Sequence, residues 1–206
     1  MRIVIPIFDG LTALDAVGPY EVLRMLPDAD VVFAAAAPGP VVDGAGQLTL
    51  TAGAAFADVD SADILLVPGG PGARRGVDDP ALVDWIRRID ATTAWTTSVC
   101  TGSLLLGAAG LLEGLDATTH WSAVELLEAY GARYTAERVV VQGTTVTAAG
   151  VSSGIDMALT LAGMIAGRTV AEAIQLAIEY DPQPPFDSGS YAKAPQEVRD
   201  YVAARR

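Results

Sequence analysis

The chain has 206 residues, 51% of them hydrophobic, a single cysteine and a formal net charge of −12. Its length and apolar content suit one α/β domain over residues 1–206, while the acidic balance argues against nucleic acid, which needs a basic face. The lone cysteine excludes an intrachain disulfide framework and fits a reducing cytoplasm, and the lack of a long apolar run or signal peptide predicts a soluble, cytoplasmic protein with no membrane partner.

Strongly apolar runs predict buried parallel strands at 3–8, 30–35, 64–68 and 94–99, because both faces of such strands are covered. Helical stretches alternate with them at 16–26, 80–89, 101–109 and 122–130. The alternation predicts a mostly parallel sheet flanked by helices on both faces. Segments 41–50 and 138–147 each place turn residues between strand residues and predict hairpins. Helices are expected at 154–166 and 170–179, ending before Asp181-Pro182-Gln183-Pro184-Pro185, with a last short one at 195–205. The pairs Arg74-Arg75 and Arg87-Arg88 read as solvated surface.

Cys100 stands between the β-branched run Trp95-Thr96-Thr97-Ser98-Val99 and a helix opening with Thr101-Gly102-Ser103. That junction is a nucleophile elbow, with the side chain held on a sharp bend above the sheet. It faces a helix N-terminus with unpaired N–H groups, which favours thiolate. An isolated cysteine is more often a small core hydrophobe, but the strand–Cys–Thr–Gly–helix setting outweighs that reading.

In an open α/β sheet, sites form beyond the carboxyl ends of the strands. Asp15 lies where a helix begins and suits either an N-cap or a carboxylate beside the thiol. Glu21, a turn or more into the helix, is the second carboxylate candidate, and Asp9 beside Gly10 suits a turn. Gly69 and Gly70, after the third strand, and Gly102 at the elbow offer N–H groups for charge on a bound reactant. Without a following Lys-Ser/Thr they make no phosphate loop. His120, the only histidine, is a candidate base for Cys100, although a His before Trp is more often structural. One His and one Cys make no metal site.

Five segments together resemble the ThiJ/PfpI superfamily: Leu14-Asp15-Ala16-Val17-Gly18-Pro19, Pro68-Gly69-Gly70, Ser98-Val99-Cys100-Thr101-Gly102, Ala109-Gly110-Leu111-Leu112 and Ala117-Thr118-Thr119-His120-Trp121. Val99-Cys100-Thr101-Gly102-Ser103 and Glu179-Tyr180-Asp181-Pro182-Gln183-Pro184-Pro185-Phe186 are similar to the isocyanide hydratase branch. The resemblance implies a flavodoxin-like three-layer sandwich and a homodimer, with the first strand and first helix as the expected interface. It also implies a nucleophile at Cys100, a carboxylate partner at Asp15 and a hydroxyl partner at Thr101. The implied activity is cofactor-independent hydration of small-molecule isocyanides to formamides through a covalent thioimidate. Thr101 stands where protease and deglycase branches carry His, which argues against Cys–His peptidase chemistry. Regulators of the superfamily add a helix-turn-helix region, which is not expected here. The rival readings are glyoxalase or deglycase chemistry on small aldehydes, and redox or ligand sensing without turnover.

Overall fold

The computed structural model describes residues 1–205. In chain order it begins with β1 (Arg2–Pro6), α1 (Ala13–Leu23), β2 (Asp30–Ala35), β3 (Gly39–Val42), β4 (Thr49–Ala52), β5 (Ala54–Ala55) and β6 (Ile64–Val67). The middle holds α2 (Pro71–Gly76), α3 (Pro80–Asp90), β7 (Trp95–Val99), α4 (Gly102–Ala108), β8 (Asp116–Ala117), α5 (Val124–Ala129) and β9 (Arg133–Tyr134). The chain continues through β10 (Val139–Gln142), β11 (Thr145–Ala148), α6 (Ser153–Ala166), α7 (Arg168–Ala177) and α8 (Gln196–Ala203).

Seven strands make the central sheet in the order β10-β11-β7-β6-β1-β2-β5. Every pairing in it is parallel except that of β10 with β11. Strand side chains alternate between faces, and the two halves of the core divide accordingly. Ile3, Ile5, Ile64 and Leu66 point to one side, with α1, α6 and α7 residues such as Val22, Met157 and Ile174. Val4, Leu65 and Val67 point to the other, against Ala73 of α2, Ile86 of α3, Leu105 of α4 and Leu127 of α5. The result is the mostly parallel sheet with helices on both faces that the alternation predicts, and the flavodoxin-like α/β sandwich that the resemblance implies.

Local chemistry sets the boundaries. Asp79 caps α3 by accepting from the Ala81 N–H at 3.0 Å, and Pro80 fills the first helical position, where no N–H is needed. Gly143, at φ 60°, stands in the short connection between β10 and β11. The expected hairpin at 41–50 forms as β3 and β4, which stand apart from the main sheet and are joined by a loop rather than a tight turn. Helix α1 starts at Ala13 rather than Ala16, with Thr12 in the N-cap position. Asp15 therefore lies inside the first turn and does not cap it. Strand β1 runs between β6 and β2 within the sheet, so only α1 of the expected interface region can meet a partner.

The site rests on backbone packed directly against backbone. A side chain on Gly102 would collide with the Val67 carbonyl oxygen, and one on Gly69 would come within 2.5 Å of the Thr101 nitrogen. The loop after β6 can approach the start of α4 only because both surfaces lack Cβ atoms. Gly102→Ala is accordingly expected to cost about 3 kcal/mol, at the upper end of overpacking effects, because backbone cannot step aside. Gly53→Ala, with open space around it and no unusual φ, is expected to stay within about 0.5 kcal/mol of the parent. Urea titration of both variants checks this, and equal stabilities would contradict the close approach.

Candidate active site

Cys100 follows β7 directly and has φ 58°, a left-handed conformation that non-glycine residues avoid. The surrounding contacts over-determine it. Its N–H is shared between the carbonyls of Ala148 and Ala149, each at 3.0 Å. Its carbonyl accepts from the hydroxyls of Thr119 at 3.0 Å and Ser103 at 3.1 Å. Strain held in this way is typical of a functional position.

The thiol is buried, with 4% of Cys100 exposed, and Asp15 beside it is wholly buried. Asp15 Oδ2 accepts from the Gly69 N–H at 3.0 Å. Oδ1 has no well-formed hydrogen bond, and the Cys100 thiol is the side chain that interacts with the carboxyl. Burial pushes the Asp15 carboxyl up to about 7, against smaller lowering effects of the Gly69 N–H and the thiol. Burial, followed by the charge of Asp15, pushes the Cys100 thiol up to about 12. The N–H groups of Thr101 and Val151 and the Thr101 side chain pull it down less strongly. The expected thiolate is therefore not the resting form. The elbow does supply N–H donors, but lost hydration and a neighbouring carboxylate outweigh them. Around neutral pH the pair holds a thiol next to a carboxyl poised between its two forms, and the carboxylate form can take the thiol's proton.

The glycines act differently from the sequence expectation. Gly69 gives its N–H to Asp15, and Gly70 gives its N–H to Thr101 Oγ1 at 2.9 Å. Thr101 Oγ1 lies 3.2 Å from the Gly70 carbonyl, to which it donates in return. Neither glycine N–H is left to receive charge from a reactant, because each already holds a side chain of the site. Gly102 occupies the first position of α4, where its role is the close approach to β6. The donors aimed at the sulfur are instead the Thr101 and Val151 N–H groups. Val151, at φ 30°, carries no signal in the sequence that would single it out.

Glu21 does not join the site. It pairs with Arg24 at 2.7 Å, with both side chains 46% exposed. Six residues after the buried Asp15, Glu21 stands about 120° away around the helix axis, which leaves its carboxylate on the outer surface. His120 does line the cleft, but its Nδ1 is engaged by Ser122, at 2.7 Å from Oγ and 3.3 Å from the N–H. The group set against the thiol is thus Asp15.

A cleft of about 520 Å³ opens over Cys100, lined also by Thr12, Pro71, Arg74, His120, Ser122 and Val151. A smaller cavity of about 110 Å³ lies between Trp121, Tyr191 and α8, away from the thiol. Arg74 is exposed, as its reading as solvated surface predicts, and the short helix α2 also places it in the cleft wall. Among the described residues, no group of three or more His, Cys, Asp or Glu side chains is placed to hold a metal ion, and no helix is long and apolar enough to cross a membrane.

The chain is similar in sequence and fold to several known proteins. The chain is 44% identical over 199 residues to the isonitrile hydratase of Pseudomonas putida, spanning 97% of this chain and 87% of that one. It is 34% identical over 135 residues to the HTH-type transcriptional regulator CdhR of Pseudomonas aeruginosa, covering 65% of this chain and 40% of the regulator. A crystal structure of a ThiJ/PfpI family protein from Pseudomonas syringae superposes with a TM-score of 0.95 at 37% identity, over 99% of this chain and 85% of that one. The family model described as DJ-1/PfpI matches residues 1–164, and with these near full-length similarities it establishes that the chain belongs to the DJ-1/PfpI family.

Proposed function

We propose that the protein hydrates organic isocyanides to N-substituted formamides, as a cytoplasmic homodimer that needs no cofactor. The observation that carries this reading is the partner of the buried thiol. It is a carboxyl raised to about 7, a group that can both give and take a proton near neutrality. Isocyanides have no leaving group, so their hydration is an addition that moves protons onto carbon and nitrogen. The full-length similarity to a protein named isonitrile hydratase supports the same chemistry.

The reaction is written in two stages. Asp15 carboxylate takes the thiol proton as the Cys100 sulfur bonds to the terminal isocyanide carbon. Asp15 then returns that proton to the same carbon, giving the thioimidate R–N=CH–S–Cys. Next, Asp15 carboxylate removes a proton from a water whose oxygen attacks the thioimidate carbon, and Asp15 passes that proton to the nitrogen, giving R–NH–CH(OH)–S–Cys. The carbon–sulfur bond breaks, the sulfur recovers a proton from the hydroxyl by way of Asp15, and R–NH–CHO leaves. Water and isocyanide are consumed and nothing else is, which places the reaction among the carbon–oxygen lyases. The Thr101 and Val151 N–H groups stabilise negative charge on sulfur as its bond to carbon forms and breaks. Thr101 Oγ1, locked to Gly70, fixes the peptide that carries one of them.

Two outcomes test the roles. Cys100→Ala is expected to make no formamide from cyclohexyl isocyanide while keeping its fold, since no other thiol exists. Asp15→Asn is expected to lose about 10²- to 10⁴-fold in kcat/KM. Formamide production by either variant at the parent rate, or lactate from methylglyoxal with no formamide from isocyanides, would contradict the proposal.

The carboxyl also fixes two pH dependences. The reactive free enzyme carries carboxylate and thiol, so kcat/KM should rise with pH through about 7 and then level off, since the thiol stays protonated up to about 12. The effect on stability has the opposite sign. Folding raises the Asp15 pKa from 3.8 to about 7, so its contribution is most favourable below pH ~4 and is lost as pH rises through about 7. Asp15→Asn should therefore gain stability relative to the parent between pH 4 and 8, by on the order of 4 kcal/mol. Urea titrations of both proteins across that range measure the difference, and a constant difference would contradict the raised pKa.

A further inference from the structure

The cleft wall holds one permanently charged side chain among the described residues that line it, and it is a cation, Arg74. It is exposed, and like Arg2, Arg75, Arg199 and Arg205 it forms no ion pair with a carboxylate among the described residues, whereas Arg24, Arg87, Arg88, Arg133, Arg138 and Arg168 do. What sets Arg74 apart in a chain of net charge −12 is its place in the cleft wall. Its neighbour Arg75 turns to backbone carbonyls of Pro71 and Asp9. Only Nη2 of Arg74 is engaged, by Ser122, at 3.0 Å from Oγ and 3.3 Å from the carbonyl oxygen.

Those contacts orient the guanidinium without neutralising it. Ser122 Oγ accepts from Arg74 and lies 2.7 Å from His120 Nδ1, which accepts from the Ser122 N–H. The three side chains hold one another at the rim, and Arg74 Nε and Nη1 remain without a protein partner among the described residues. A guanidinium with donors to spare, fixed at the wall of a reaction cleft, suits a planar anion that can accept two parallel hydrogen bonds. The rest of the molecule is acidic and repels such an anion, so the local cation is what would admit it.

From this geometry we infer that Arg74 determines specificity, and that the preferred substrates are isocyanides whose N-substituent bears a carboxylate. The inference rests on the isocyanide reading of the site. The isocyanide carbon goes to Cys100 at the floor, and the carboxylate binds Arg74 at the wall. Arg74 touches neither the thiol nor Asp15, so it acts on substrate binding and not on the proton transfers.

The test compares isocyanoacetate with its uncharged analogue isocyanoacetamide at pH 8, following formamide formation by the parent, Arg74→Met and Arg74→Lys. The parent should favour the acid by about ten-fold or more in kcat/KM, the size expected of a charge-assisted bond. In Arg74→Met that ratio should fall to about one, chiefly through a higher KM for the acid. Arg74→Lys should restore part of it, since the charge returns without the planar fork. A purely structural Arg74 would lower both rates and leave the ratio in place, which would overturn the inference. Formamide from both compounds at equal kcat/KM in the parent would overturn it while leaving the isocyanide reading intact. No formamide from either of these compounds or from cyclohexyl isocyanide would overturn both.

Discussion

The site depends on the burial of one carboxyl beside one thiol. Asp15 and Cys100 are both removed from water, and two adjacent negative charges in such a place are costly. The pair therefore keeps at least one proton across the neutral range, with the carboxyl at about 7 and the thiol at about 12. This arrangement differs from a pre-ionised cysteine. In the proposed reaction its nucleophile forms when the proton moves to Asp15, at the moment a reactant is present to receive the sulfur.

Holding that pair requires several distant segments to meet at the carboxyl edge of the sheet. Helix α1 brings Asp15, the loop after β6 brings the Gly69 N–H that fixes it, and the strained elbow after β7 brings Cys100. The connection following β11 adds the Val151 N–H. Gly69 and Gly102 allow these backbones to touch, and the hydrogen bonds from Gly69 and Gly70 fasten Asp15 and Thr101 across the gap. The glycine loop thus braces Asp15 and Thr101, and its N–H groups are not free to receive charge from a reactant.

What the sequence revealed was what local pattern controls. The alternating apolar residues of β1 and β6 already specify two covered faces, and the change from β-branched residues to Thr101-Gly102 marks the elbow. Short or long-range features were not legible. Helix α2 spans only Pro71–Gly76, too short for an amphipathic period, so the sequence shows Arg74 as solvated surface, which it is, but not that it borders the cleft. The acidity of Cys100 was misjudged because a helix N-terminus can be read from order along the chain, whereas burial cannot. Asp15 could be chosen as a candidate, but its hydrogen bond to Gly69 joins positions 54 residues apart. Glu21 and Asp15 cannot both face the thiol, because six residues on one helix stand about 120° apart, and the weakly amphipathic α1 does not show in sequence which of them turns inward. Val151 acts through its N–H, which every residue except proline possesses.

Infrared titration of the buried pair is the most direct measurement, because one spectrum reports both groups. The carbonyl band of protonated Asp15 can be assigned as the band missing in Asp15→Asn, and the S–H band as the one missing in Cys100→Ala. The acid band should disappear with a midpoint at about 7, while the S–H band persists throughout the neutral range. A carboxyl already ionised at pH 5, together with an S–H band lost by pH 8, would mean that the cysteine rests as a thiolate and would contradict the shared proton.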